Sequence, residues 1–160
     1  MIMERWMMNE RIDYKKVAPD GYKAMRAIEA YVRSAGLEHA LLELVKIRVS
    51  QINGCAHCLD MHSKDARAGG ESEQRLYALP AWREAPFYSD RERAALAWAE
   101  AVTQISGNVP DEVYTEARRH FDEKALIDLT LAIIAINGWN RLAIPFRAPV
   151  GTYQPAGRKA

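Results

Sequence analysis

The sequence predicts an all-α fold, a compact helical domain of about six to seven helices with a Cys-x-x-Cys pair at the start of a core helix. Two observations predict it. Apolar residues recur at helical spacing in one segment after another, while strand-like alternation is almost absent. The segments are parted by Gly, Pro and capping residues rather than by hairpin turns. The length, 160 residues with 49% hydrophobic and 27% charged, suits a single domain over 1–160 with a real core.

Residues 1–17 read as a peripheral segment, with an acid at Glu4 and no apolar stretch of signal-peptide length in Met1 to Met8. Pro19 opens the first helix, and Tyr22, Met25, Ile28, Tyr31 and Val32 form its apolar stripe up to Gly36. A second helix runs from Glu38 to Ile52 on Leu41, Leu44, Val45, Val49 and Ile52. Asn53-Gly54 breaks the pattern, with Asn53 as an N-cap for the cysteine helix that Gly69-Gly70 ends. Glu71 to Leu79 is a short helix stopped by Pro80, and Ala81 to Tyr88 a loop anchored by Trp82 and Phe87.

Ser89-Asp90-Arg91-Glu92 is a capping box for the next helix, which carries Leu96, Ala99, Val102 and Ile105. Pro110 starts another through Phe121. Asp122 caps the last, from Glu123 to Ile144, whose centre is apolar all round, as in the middle of a bundle or an oligomer contact. The tail 146–160, with Pro149, Gly151, Pro155 and Gly157, reads as peripheral and extended or mobile. Ile52-Asn53-Gly54 recurs as Ile136-Asn137-Gly138, the mark of a duplicated two-helix unit or a coincidence.

Lys and Arg total 22 against 21 for Asp and Glu, a net charge of +1, so nothing points to nucleic acid or an anionic membrane, and the basic run Arg158-Lys159 is a tail. The longest nearly apolar run, Leu129 to Ile136, is too short to span a bilayer, and a cytoplasmic protein is expected. Two cysteines three apart in a reducing compartment do not make a structural disulfide framework, which leaves redox chemistry, metal binding or chance.

Cys55-Ala56-His57-Cys58-Leu59-Asp60-Met61-His62 holds both cysteines and two of the four histidines. On a helix, Cys55, Cys58 and His62 share one stripe. The cysteine Cβ atoms then lie roughly 5 to 6 Å apart, close enough for a reversible disulfide after a rotamer change. Two arguments about the attacking sulfur conflict. The helix N-terminus favours a thiolate at Cys55, whereas His62, one turn beyond Cys58, favours Cys58. Glu43 interrupts the apolar run of Leu41, Leu42, Leu44 and Val45. Folded back onto the cysteine helix, it would hold His62 in a proton relay, with burial raising its pKa; on a solvated face it would pair with Lys46. His57 lies about 200° round the helix from Cys55 and faces away.

Glu43, Cys55, His57, Cys58 and His62 at these spacings resemble the active-site signature of the alkyl hydroperoxidase D-like (AhpD-like) proteins of the carboxymuconolactone decarboxylase superfamily. The resemblance covers about Glu38 to Gly70, and the later helices agree in type and order. It implies a thiol peroxidase in which Cys58 attacks the peroxide and Cys55 resolves, with His62 as base, Glu43 as relay and His57 in support. It also implies an external lipoyl-bearing or thioredoxin-like dithiol reductant and a homo-oligomer, trimeric or hexameric. Members of the decarboxylase branch generally lack the cysteine pair, which argues against lactone decarboxylation here.

No cofactor is expected, because the chain has no glycine-rich phosphate loop and no haem or flavin motif. Two other readings remain. Zinc on Cys55, Cys58 and His62 lacks a visible fourth ligand, since His39 and His120 stand alone. A dithiol sensor would form the disulfide without turning over peroxide. Trp82, Phe87, Trp98 and Trp139 could line a substrate pocket or the core, and Trp139-Asn140-Arg141 a subunit contact or the pocket mouth.

Overall fold

A computed structural model describes residues 9–155; Met1 to Met8 and the Arg158-Lys159 run lie outside them. The described chain is built from helices: α1 (Tyr14–Val17), α2 (Pro19–Ser34), α3 (His39–Asn53), α4 (Ala56–Ala68), α5 (Glu73–Ala78), α6 (Asp90–Thr103), α7 (Asp111–His120) and α8 (Glu123–Phe146). The count is one above the expected seven because Asp13, accepting the Lys15 N–H at 3.1 Å, caps a short turn in the segment read as peripheral. The helix expected to stop at Pro80 instead tightens into a 3-10 turn, Leu79–Ala81.

Two helices form the centre. α3 packs against α4, α6 and α8, and α8 packs against α2, α3, α4, α6 and α7. Leu41, Leu42, Val45 and Val49 of α3 meet Leu126, Leu129, Ile133 and Ile136 of α8 in the main core. Leu44 and Ile47, on the other side of α3, join Leu79, Trp82, Tyr88 and Leu96 in a second cluster. Each fully buried side chain of this size contributes about 1.5–3 kcal/mol, so this double-sided burial fixes α3 firmly. By length and composition α8 could cross a membrane. Here it is a bundle helix, with Ile127 and Ile134 exposed and the polar Asp128 and Asn140 buried.

The capping box forms as read, Ser89 Oγ accepting the Glu92 N–H at 3.2 Å and Glu92 Oε2 the Ser89 N–H at 2.8 Å. α8 continues past Ile144 through Pro145. The carbonyls left open at its end accept from Arg11, whose guanidinium reaches Pro145 O at 3.0 Å and whose N–H reaches Phe146 O at 2.9 Å.

The two Asn-Gly repeats behave differently. Gly54 adopts φ +71° and caps α3, whereas Gly138 lies inside α8, so the repeat does not mark two equivalent helix ends. The tail is not loose over its described length. It returns along α4, with Gly151 N–H on Asp60 at 3.1 Å, Lys64 Nζ on Tyr153 O at 3.0 Å and Tyr153 OH on Asp65 at 2.7 Å.

Candidate active site

α3 ends at Asn53, Gly54 reverses the chain, and Cys55 itself is the N-cap of α4. The expected cap, Asn53, is the last residue of the preceding helix instead, because the left-handed turn at Gly54 moves the start of α4 by two positions. As N-cap, Cys55 accepts the Cys58 N–H on its sulfur at 3.4 Å. Both thiols are buried and unbridged. The neighbouring Cys58 side chain, with the N–H groups of Cys58 and His57, draws the Cys55 thiol down to about 7 against the opposing effect of burial. The Cys58 thiol is pushed up, by the neighbouring Cys55 side chain and by burial.

Cys58, His62 and Ala66 form the buried stripe of α4. His62 Nδ1 meets Glu43 Oε2 at 2.8 Å across the α3–α4 contact, and both residues are buried. The carboxylate favours a proton on Nδ1 and leaves Nε2 as the acceptor. Burial raises the Glu43 pKa, but the hydrogen bond from His62 and the charges of His62, Lys46 and His39 lower it further. Its carboxyl therefore sits below the ordinary value, the reverse of the rise expected from burial alone. The surface alternative for Glu43 is half right. Lys46 does face it, at 3.8 Å, but this ammonium is itself buried and is shared with Glu29. Among the described residues His62 makes no hydrogen bond to either sulfur.

Cys58, His62, Glu43 and His57 line a cavity of about 440 Å³, walled by Tyr14, Tyr22, Met61 and Trp139 and closed on the tail side by Tyr153. His57 thus faces the cavity rather than away. The 200° offset was counted from Cys55 as a helical residue, and a cap residue with extended backbone does not follow that rotation. His57 Nδ1 lies 2.5 Å from the carbonyl of Pro149 in the tail. Of the four aromatic candidates only Trp139 lines the cavity. Trp82 donates to Glu100 at 2.9 Å and Trp98 to Thr130 at 2.9 Å within the packing, and Phe87 packs on the second cluster.

Tyr14, Lys46 and Tyr153 are site residues that the sequence did not single out in these roles. A lysine inside an apolar helical run was a usable signal for Lys46; no local pattern marked the others. Among the described residues, the metal-ligating side chains that come together are Glu43, His62 and Asp65, with ligand atoms within 4.8 Å, and not the Cys55, Cys58 and His62 set considered for zinc. The two carboxylates there are already held by Lys46 and by the Tyr153 hydroxyl.

Comparison with known proteins agrees with this architecture. The sequence profile of the carboxymuconolactone decarboxylase family matches residues 19–101, and the chain belongs to that family as an AhpD-like member. The uncharacterized protein YdfG of Bacillus subtilis is 50% identical over 138 residues, 86% of this chain and 94% of its own. The crystal structure of a protein of unknown function from Agrobacterium tumefaciens, put forward as the antioxidant defence protein AhpD, superposes with a TM-score of 0.87 at 45% identity, covering 91% of this chain and all of that one. The alkyl hydroperoxide reductase AhpD of Nocardia farcinica is 39% identical over 46 residues, 29% of this chain and 26% of its own.

Proposed function

We propose that the chain is a thiol-dependent peroxidase that reduces alkyl hydroperoxides through a dithiol–disulfide cycle. The observation that carries this reading is the cavity: Cys58 is the sulfur on its wall, with the His62–Glu43 pair on the same wall. In the proposed cycle His62 Nε2 takes one proton from the dithiol and is held as imidazolium by Glu43. The remaining proton rests on Cys55 as the Cys58 thiolate attacks the terminal peroxide oxygen. The O–O bond breaks, Cys58 becomes a sulfenic acid, and the departing alkoxide takes the proton from His62 and leaves as an alcohol.

Cys55 then attacks the Cys58 sulfur, forming the disulfide and releasing water. An external dithiol, lipoyl-bearing or thioredoxin-like, restores both thiols by exchange and is itself oxidised. The rise of the Cys58 thiol in the resting pair does not oppose this order. The remaining proton has only to pass between two neighbouring thiols, and such a pair titrates as a unit. We place the protein in the cytoplasm, where thiols stay reduced. A homo-oligomer, trimeric or hexameric, would cover Ile127 and Ile134 on the outer face of α8.

A hydroperoxide assay with wild type, Cys58→Ser and Cys55→Ser tests the assignment. The expected result is multiple turnover with a dithiol reductant in wild type only, and a single round of sulfenic acid formation in Cys55→Ser. Sulfenic acid in Cys58→Ser instead would exchange the two roles. Disulfide formation in wild type without turnover under several reductants would favour a dithiol sensor.

A further inference from the structure

α2 turns one stripe toward the cavity: Tyr22, Arg26, Glu29 and Arg33, at i, i+4, i+7 and i+11, all line it. Glu29 lies one turn from each arginine, three residues after Arg26 and four before Arg33, where it is the natural partner of both. It is instead taken up by Lys46, the buried lysine of α3, in an ion pair between the two helices. Arg26 and Arg33 are left exposed, with no hydrogen bond or ion pair among the described residues.

The other charged groups on the wall are accounted for. Glu43 faces His62 at 2.8 Å, Asp65 accepts from the Tyr153 hydroxyl at 2.7 Å, and Lys15 Nζ lies 5.9 Å from the centroid of the Tyr22 ring. Lys15, Arg26, Arg33 and Lys46 stand against three carboxylates, Glu29, Glu43 and Asp65. Each carboxylate has a partner, and the two cations without one share a helix stripe. Seven residues of helix rise about 10 Å. Two guanidinium side chains, each a fork matched to a carboxylate, can converge on one anion across that span.

Beside these charges the wall is aromatic. The Tyr22 ring lies 6.3 Å from that of Tyr14 and 5.7 Å from that of Trp139, and Met61 and Ala143 line the same cavity. An apolar interior with open cations on one side suits a ligand that has an apolar body and one acidic end, and about 440 Å³ is enough to enclose a small organic molecule.

We propose that Arg26 and Arg33 form a carboxylate-binding subsite, and that the substrate is an alkyl hydroperoxide carrying a carboxylate, of the fatty-acid hydroperoxide class. The proposal deepens the peroxidase reading and rests on it for turnover. Only the peroxide end reacts. Its O–O bond breaks as the dithiol is oxidised to the disulfide, the products are a hydroxy acid and water, and the carboxylate is unchanged.

The test compares linoleic acid hydroperoxide with its methyl ester, which lacks the charge. Wild type is expected to favour the acid in kcat/KM by about tenfold, the low end for a hydrogen bond to a charged group. The Arg26→Gln/Arg33→Gln double variant should lose that preference through a higher KM for the acid. Lys23→Gln removes a positive charge from α2 off the cavity wall and should keep it. Equal kcat/KM for acid and ester in wild type would overturn the proposal, as would a preference that survives in the double variant or that Lys23→Gln abolishes equally.

Calorimetry with the reduction products, the hydroxy acid and its methyl ester, needs no turnover. Wild type should bind the acid about tenfold more tightly than the ester, a difference that added salt narrows and the double variant lacks. Wild type that consumes neither hydroperoxide but keeps this difference counts against the peroxidase reading alone. Equal binding of the two products overturns the subsite.

Discussion

Glu43→Gln keeps the shape of the side chain and one acceptor for His62 but removes a buried negative charge that faces His62 Nδ1 at 2.8 Å, His39 Nε2 at 3.7 Å and Lys46 Nζ at 3.8 Å. A charge-assisted hydrogen bond contributes about 1.5–3 kcal/mol against about 0.5–1.5 for a neutral one, so His62 alone accounts for about 1 kcal/mol. Lys46 keeps Glu29 but loses half of its compensation, and the desolvation no longer incurred by the carboxylate offsets part of that loss. A net cost of about 2 kcal/mol corresponds to a melting temperature lower by about 4–8 °C in a chain of this size.

The effect has a definite pH window. The folded Glu43 pKa lies below its ordinary 4.5. The carboxylate therefore contributes its full stability above about 4.5, and the contribution disappears as pH falls through the lower folded value. The gap in melting temperature between wild type and Glu43→Gln should be widest near neutral pH and close in acid. Without the anion facing Nδ1, the charge that would stabilise a proton taken up by His62 during the reaction is lost. Since Glu43 acts through His62, we expect kcat to fall by about a hundredfold, the low end for an acid–base group, with KM little changed. Scanning calorimetry across pH and steady-state peroxide kinetics check both parts. A Glu43→Gln protein within about 1 °C and about twofold of wild type would refute the reasoning.

Two further substitutions examine the frame around the site. Gly54→Ala meets no atom within 4 Å but forces φ +71° on a residue with a Cβ, so thermal unfolding should record a loss of about 1 kcal/mol with the core packing intact. Ile134→Glu places a charge on the exposed face of α8, where Ile134 is 51% accessible. For the homo-oligomer proposed above, light scattering should show wild type larger than a monomer and the variant reduced to monomer mass with unchanged helical circular dichroism; a variant as large as wild type would remove this face from the contact.

Much of the fold was legible because its signals are local. The stripe of α2, the capping box of α6 and the Asp122 cap of α8 depend on residues within a turn or two of one another, and all three form. The misreadings occurred where a local signal met a distant partner. The helix expected to end at Ile144 runs on to Phe146, where Arg11, distant in sequence, donates to the last carbonyls. Of the two readings of the Pro- and Gly-rich tail, extended or mobile, the contacts of Asp60, Lys64 and Asp65 favour the extended one, laid along α4.

The sequence by itself determined the helical architecture, because helical periodicity is a local property, and its resemblance to a known signature singled out Glu43, Cys55, His57, Cys58 and His62 as candidates. Tertiary structure alone decided how that set is arranged: Cys55 as the cap, Cys58 on the cavity wall, and Glu43 below rather than above its ordinary pKa. The physical reason is the range of the interactions involved. Glu43 and His62 are 19 residues apart. The protonation of a buried thiol or carboxylate follows whatever charge and donor the fold brings beside it.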